Sequence, residues 1–363
     1  MELHVKGIPT SFELVQFIPV QASEEVWEAY FTLSEMIFRE WNQRGRLPDR
    51  AVVRRQLSTS SPLFTVQRWL LLDEVFSAVA SAWLSYDTAL SPDYESSMHV
   101  CQIHISVSPA YRRKKIATHI LRHLLDAALL EGKNRVRAEV DNPLGLDFCK
   151  HLRGKRVHQE VQHRLYMEDV NWQFVEAWIE KAKAKSPGTT VELFKECPEI
   201  DIEEFCSIYT EIINQRPIGD MKQKLITTPQ SRRIEERNLQ RRGIDWYTMI
   251  SRERDGHLSG LTDIMYNPEE PYRIIQYFTG ILSKHRRKGL AKRLKAEMLT
   301  YIAKHFPDVE YITTSTAKEN LPMRTINKQL GFLPQKTSFI FRWELLELEH
   351  LVDEILTGLQ LLS

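Results

Sequence analysis

Apolar positions along this chain fall into runs of period two and runs of period 3.6 that follow one another in a regular order. Alternation puts successive side chains on opposite faces of a strand, whereas spacings of three and four gather them on one side of a helix. On this basis the first half opens with a strand at 13–20 and helices at 23–43 and 49–58, and continues with strands at 63–72, 75–86 and 97–107. A basic turn, YRRKKIA, then leads into a helix carrying Ile116, Ile120, Leu121, Leu124, Leu125 and Ala128 on one side. RVRAEV (135–140) reads as a strand, NPLGLDFCKHL as a short helix and HQEVQHRLYME as a closing strand.

The second half repeats the order. A strand at 190–197 precedes helices near 201–214 and 230–242, and the strands IDWYTMIS, HLSGLTDIMY and YRIIQYFTGIL follow. A second basic turn, KHRRKGLA, leads into a helix to about 304, then the strand EYITTST, the helix LPMRTINKQL and the strand SFIFRW. Arg112 and Arg286 hold the same place in the two copies, as do Ala117 and Ala291, so a whole domain is duplicated. Between the copies a charged helical pattern ends at Ser186, Pro187 and Gly188, residues that stop a helix. The expected division is an N-terminal domain over 1–170, a linker helix over 171–188, a C-terminal domain over 189–343 and an amphipathic helix over 344–363. That last helix spaces Leu345, Leu348, Val352, Ile355, Leu359 and Leu362 three and four apart. It is expected to pack on its own chain, with a homodimer contact as the alternative.

Composition narrows the function classes. A chain of 363 residues exceeds one ordinary core, and its 42% hydrophobic content supplies material for two. The 49 basic residues nearly balance the 48 acidic ones, so any anion site must be local rather than a general affinity for nucleic acid. The most apolar stretch, Trp69 to Leu84, is too short to cross a bilayer and contains Asp73 and Glu74, and the N-terminus lacks the order of a secretory signal. The chain therefore reads as cytoplasmic. Cys101, Cys149, Cys197 and Cys206 form no CxxC pair, and His119 and His123 have no further ligand at metal spacing, so no metal is expected.

The basic turn of the second half carries the chemistry. A helix begins with backbone N–H groups that lack intrahelical partners, and its dipole favours negative charge there. In KHRRKGLAKRLK, Gly289 has no Cβ and lets the backbone approach a phosphate, while Ala291 keeps the helix start close to the strand before it. Arg286, Arg287 and Lys288 add charge around the turn, and Leu290 begins the apolar face of the helix.

The order strand, R-x-x-G-x-A, helix resembles the coenzyme A pyrophosphate loop of the GNAT acyltransferase superfamily, and the segment TTSTAKENLPMRTINKQLGF is similar to that family's last strand and helix. The resemblance implies an α/β fold with two tandem domains, each a mixed, mostly antiparallel sheet flanked by helices, as in mycothiol-synthase-type proteins. It implies acetyl-CoA as co-substrate, held by the loop Arg286 to Ala291, by the strand end Thr279, Gly280, Ile281 and Leu282, and by Asn320 and Met323. A backbone N–H at that strand end would hold the thioester carbonyl. The acceptor is expected to be the primary amine of a small molecule.

Both copies depart from the family pattern. The first loop is Arg112, Arg113, Lys114, Lys115, Ile116, Ala117, with lysine in place of glycine, which is expected to crowd a diphosphate and make the first domain a degenerate copy. In the second, Asn327 stands where many relatives carry a tyrosine as general acid, leaving Tyr277, Tyr311 or water as substitutes. A turn at YNPEEP would pair Asp263 with Gln276 on one sheet face, making Asp263 a candidate general base or ammonium anchor and Gln276 an orienting group. An exposed strand aspartate is the plainer reading. Three functions are in competition: an acyl-CoA-dependent N-acyltransferase working by direct attack in a ternary complex in the C-terminal domain, a module that holds acetyl-CoA without turnover, and a nucleic-acid binder.

Overall fold

A computed structural model describes residues 12–43, 45–219 and 224–358. The first half runs β1 (Phe12–Gln16), α1 (Glu24–Trp41), α2 (Arg50–Ser58), β2 (Phe64–Asp73), β3 (Ala78–Asp87), α3 (Tyr94–Ser97), β4 (Val100–Val107), α4 (Ile116–Leu130), β5 (Arg135–Val140), α5 (Pro143–His151) and β6 (Lys155–Tyr166). The connecting α6 (Trp172–Lys185) begins at an Asn171 cap and ends before Pro187. The second half runs β7 (Thr190–Phe194), α7 (Ile202–Ile213), α8 (Pro229–Arg241), β8 (Asp245–Arg252), β9 (Leu258–Tyr266), β10 (Arg273–Ile281), α9 (Leu290–His305), β11 (Tyr311–Ala317), α10 (Leu321–Leu330), β12 (Leu333–Glu344) and α11 (Leu345–Thr357).

The chain divides into two compact units, but not in chain order. One comprises the described residues up to Val157 together with those from Phe339 onward; the other is His158–Ser338. The expected boundaries at 170 and 189 thus both lie inside the second unit. In the first unit β12 closes the sheet, its Phe339 to Glu344 pairing antiparallel with Val140 to Arg135 of β5. In the second, β6 does so, pairing antiparallel with β11 from Tyr166↔Tyr311 to Glu160↔Ala317. The closing strand of each half in sequence thus serves the sheet of the other. Hydrophobic alternation marks both segments as strands but carries no information on which neighbour each selects.

Among the described residues each unit contributes six strands, with one parallel pair in each, β4 with β5 and β10 with β11. In the first unit α4 and α11 cover one face through Ile120, Leu124, Leu345, Leu348 and Val352, while α1 covers the other through Trp27 and Phe31 over Leu70 and Leu72. The C-terminal helix therefore spends its described apolar stripe inside its own unit; Leu359 and Leu362 lie outside the described residues. In the second unit α9 and α6 cover one face, with Leu294, Met298 and Trp178 among the buried residues, and α7 covers the other with Phe205, Ile208 and Ile212. Among the described residues no helix is long and apolar enough to cross a membrane. The four cysteines are buried free thiols.

One irregularity is shared and one is not. A bulge at Val79 in β3 and at Ser259 in β9 turns a carbonyl toward the residue that follows β4 or β10, so that Ser108 donates to Val79 O and Leu282 to Ser259 O, both at 2.9 Å. This clamps the strand end at the start of each basic turn. A further bulge places Tyr277 as an extra residue between Gln276↔Ile264 and Phe278↔Asp263, whereas β4 pairs with β3 without a break from Val107 to Gln102.

Gly280 is fixed by contact with a helix. A Cβ built there would lie 1.9 Å from Ile212 Cγ2 of α7. Gly280→Ala is expected to destabilise the protein by about 1–3 kcal/mol in urea unfolding, as overpacking does, and Ile212→Ala in the same chain should reduce that penalty. Equal costs of Gly280→Ala with and without Ile212 would overturn the packing argument.

Candidate functional site

The basic turn of the second unit is built around two residues in the left-handed region, Arg287 at φ 65° and Gly289 at φ 87°. Gly289 is the N-cap of α9, and no side chain caps that helix start, in contrast to the asparagine, aspartate and hydroxyl caps of α2, α6, α8 and α10. An uncapped N-terminus behind an αL residue presents donors that an anion can satisfy. The side chains are less free than the sequence implies. Arg286 donates through Nε to Ile281 O at 3.3 Å and through its outer nitrogen to Gln215, bracing the strand end against the segment after α7. Lys288 lies 3.4 Å from the Glu253 carboxylate. Arg287 is exposed.

Next to this turn the parallel pair opens. β10 and β11 are in register only from Arg273↔Tyr311 to Ile275↔Thr313. Beyond Ile275, just before the Tyr277 bulge, no described strand pairs with β10 on the β11 side. The expected strand-end residues differ in what they offer. Leu282 N–H is spent on Ser259 O and Ile281 O is taken by Arg286, while Thr279 shares a 2.7 Å hydroxyl contact with Thr262. Tyr277, half exposed at the bulge, stands beside the opening; Tyr311 stands at the paired, closed end, stacked under Arg164 at 4.1 Å.

Asp263 and Gln276 are not cross-strand partners. Asp263 pairs with Phe278, not with Gln276, and the two side chains point to opposite faces of the sheet. The expected pairing was one residue out of register from the turn onward, since Gln276 opposes Ile264, and a slip of one residue reverses the face; the Tyr277 bulge then moves the partner of Asp263 one place further, to Phe278. Asp263 lies under α7 and α8, fully buried rather than exposed. Thr248 donates to its Oδ1 at 2.6 Å. Arg232, also without exposed surface, bonds Thr248 at 3.1 Å and Glu236 at 2.8 Å and lies 3.4 Å over the Trp246 ring. Burial raises the Asp263 carboxyl to about 6, against the opposing effects of the Arg232 charge, Thr248, Tyr209 and Trp246. Arg232, Thr248 and Tyr209 were not legible as site residues, since only folding gathers them around Asp263.

Gln276 faces α9. It accepts from Lys295 Nζ and donates to Thr262 Oγ1 at 3.2 Å. Burial lowers the Lys295 ammonium to about 7. Asn327 is likewise interior: its Nδ2 donates to Thr316 Oγ1 at 3.1 Å, and its Oδ1 has no partner. An amide bonded inward to β11 does not replace a tyrosine acid at the opening. Asn320 caps α10 by accepting from Met323 N at 3.3 Å, and Met323 is half-buried behind it.

The first unit repeats the turn in backbone but not in detail. Arg113 and Lys115 both have φ 60°, α4 starts without a side-chain cap, and Arg112 donates to Val107 O at 2.9 Å and forms a two-point ion pair with Glu40 at 2.6 Å. The side chain of Lys115 does not fill the turn. Its Nζ reaches 2.8 Å to Ile355 O at the end of α11. In the second unit the matching direction is taken by helix α6, whose Ala182 Cβ would stand 3.6 Å from a Cβ on Gly289. The crowding expected from Lys115 is therefore not what distinguishes the copies.

Comparison with known proteins places this geometry. Residues 25–151, in the first unit, match the Acetyltransferase (GNAT) family. No curated protein sequence matches the chain. Among solved structures, the chain is similar to a tandem GNAT protein from the clavulanic acid biosynthesis pathway, with TM-score 0.72 and 18% identity over 92% of this chain and 98% of that one. It is similar also to a GCN5-related N-acetyltransferase from Sphaerobacter thermophilus, with TM-score 0.65 and 14% identity over 93% and 97%. Saccharomyces cerevisiae N-myristoyltransferase with bound myristoyl-CoA aligns with TM-score 0.57 and 13% identity over 93% and 80%.

Proposed function

We propose, from the match of residues 25–151 to the Acetyltransferase (GNAT) family and the likeness of the fold to a tandem GNAT protein, that the chain is an acyl-CoA-dependent N-acyltransferase, moving an acetyl group from acetyl-CoA to the primary amine of a small molecule. The donor is held by the second unit. The observation that carries this assignment is the conjunction of the uncapped, glycine-led start of α9 with the unpaired, bulged half of β10 beside it. The helix start suits the diphosphate, and the open strand edge offers backbone donors to an extended acyl arm.

In the transfer the amine nitrogen attacks the thioester carbonyl carbon, a C–N bond forms, the C–S bond breaks and the thiolate leaves. The amine proton must go to the protein. Asp263 is the proposed acceptor, since a carboxyl near 6 is largely ionised at neutral pH and holds a proton more strongly than an ordinary carboxylate. Having no exposed surface, it takes the proton through Tyr209, whose phenol its charge acts on. Tyr277 at the bulge is the proposed donor to the thiolate.

Free-thiol release from acetyl-CoA across a panel of primary amines tests the reading; tight binding with no amine-stimulated release would leave a carrier-binding module in its place. Asp263→Asn is expected to lower turnover about a hundredfold or more with acetyl-CoA affinity unchanged. In the unaltered protein the rate should fall as pH drops through about 6, because the base is then protonated, and the variant should lack that limb. An intact acid limb in Asp263→Asn would remove Asp263 from the mechanism.

A second reading has its own support. The family match covers the first unit, whose turn keeps the left-handed backbone and an uncapped helix start, so the donor would sit there instead.

A further inference from the structure

The two units differ on the faces under their first helices. Each has a row of directly opposed residues across three strands, Arg68, Trp83 and His104 in the first unit and Thr248, Asp263 and Phe278 in the second. By the same registers Ser81 and Ser106, which oppose each other, correspond to Leu261 and Gly280. In the second unit these positions are filled. Leu261 and Phe278 belong to the core under α7, and Ile212 of α7 comes so close to Gly280 that no Cβ fits there. In the first unit their counterparts Ser81, His104 and Ser106 all line a cavity of about 390 Å³, roofed by Tyr30, Ser34 and Ile37 of α1.

We propose that this cavity is a binding site for an uncharged planar aromatic molecule with a hydrogen-bonding group on its ring, a phenol or an arylamine. The volume falls in the range of small-molecule sites, roughly 300–1,000 Å³. Packed interiors do not leave such space without cost, and polar residues at three core-facing positions add to it. One wall is flat and aromatic, with the Trp83 and His104 rings stacked at 5.6 Å and 13°. Tyr30 and Phe17, also among the lining residues, stack on each other at 5.1 Å. Aromatic surfaces of this kind favour a planar ligand.

The polar groups set the rest of the ligand. His104 Nε2 and Ser106 Oγ share a hydrogen bond at 2.9 Å, and Ser34, Ser81 and Ser85 add further hydroxyls to the lining. The His104 ring keeps open surface although protein surrounds it, as a group facing a cavity does, and burial holds its imidazole below its ordinary value against the pull of Asp141. A neutral imidazole beside a hydroxyl can donate to, or accept from, a phenolic or amino group. Charge is what the lining does not answer. Among the described residues no lysine, aspartate or glutamate lines the cavity, and its one arginine, Arg68, has a partner of its own. A ligand ammonium would meet no carboxylate there and a ligand carboxylate no unengaged cation, and burying either charge unpaired is costly. The site is independent of the acyl-transfer assignment.

The experiment uses the full chain without acetyl-CoA and five ring compounds of similar size, p-cresol, p-toluidine, toluene, benzylamine and benzoate, with binding read by calorimetry and ligand-observed saturation-transfer NMR. p-Toluidine and benzylamine are isomers, and at neutral pH only the second is charged. p-Toluidine is expected to bind at least about tenfold more tightly than benzylamine, and p-cresol by the same margin over benzoate. Ser81→Leu, which imports the second unit's residue, should weaken both uncharged ligands at least about tenfold with thermal stability unchanged or raised. His104→Phe, which also imports the second unit's residue and keeps a ring on Trp83, should erase the preference for p-cresol over toluene. The proposal is overturned if neither p-cresol nor p-toluidine binds, if benzylamine or benzoate binds best, or if the two variants bind as the parent does; a destabilised Ser81→Leu variant would leave His104→Phe to decide. Because no acyl donor is present, failure here leaves the thiol-release test of the acyltransferase untouched.

Discussion

Glutamate in place of Gly289 is expected to abolish acetyl-CoA binding, raising the calorimetric Kd by at least about a hundredfold while far-UV circular dichroism is unchanged. The fold should survive because two effects offset. A residue with a Cβ at φ 87° costs about 1–2 kcal/mol, while a carboxylate at the uncapped start of α9 satisfies donors there and matches the helix dipole. The same carboxylate occupies the donors that the diphosphate needs and repels it. Gly289→Ala separates strain from charge, since its Cβ would meet Ala182 at an ordinary 3.6 Å, and it should keep most of the affinity. Lys115→Glu makes the parallel change in the first unit. It is expected to leave affinity unchanged and to lower Tm by a few degrees through loss of the bond to Ile355 O. If Lys115→Glu abolishes binding and Gly289→Glu does not, the donor belongs to the first unit.

The sequence carried the element order and the basic turns well, because period-two and period-3.6 runs and the paired R-x-x-x-x-A turns are local signals. What it did not carry were partners. HQEVQHRLYME is plainly a strand, yet nothing in it says that it will pair with residues 311–317. A one-residue error of register had a larger effect on the site. From the turn onward Gln276 opposes Ile264, one place from the expected Asp263, so Asp263 turns toward α7 and Gln276 toward α9. The charges of the turn have a second use that one dimension does not show: Arg286, expected to hold the diphosphate, gives its Nε to the carbonyl that ends the preceding strand, as Arg112 does in the first unit. The plainer reading of Asp263 as an exposed strand aspartate also failed, since the residue is fully buried.

Lys295 is expected to make the protein more stable as pH rises from about 7 to about 10, a trend that Lys295→Met should remove. The ammonium is buried on the α9 face with Gln276 as its hydrogen-bond partner and the Phe332 ring 5.4 Å away. Desolvation brings it to about 7 in the folded chain from an ordinary value of 10.5. Between those values the unfolded chain holds a proton that the folded chain has released. Stability therefore climbs with pH, by about 1.4 kcal/mol per unit for one group. Below about 7 both states are protonated, the folded protein bears the full cost of a buried charge, and this contribution is flat. Methionine keeps the length and apolar stem and removes the charge, so the variant should be more stable at pH 7 by about 1–3 kcal/mol, less than the full shift because Gln276 Oε1 loses its donor. Urea unfolding of both proteins at pH 7, 8 and 9 reads the difference directly, since any other titrating group contributes equally to the two curves. Parallel curves would mean that Lys295 is charged in the folded protein at every pH tested, which in turn would require water or an anion to reach the α9 face of the β10 wedge.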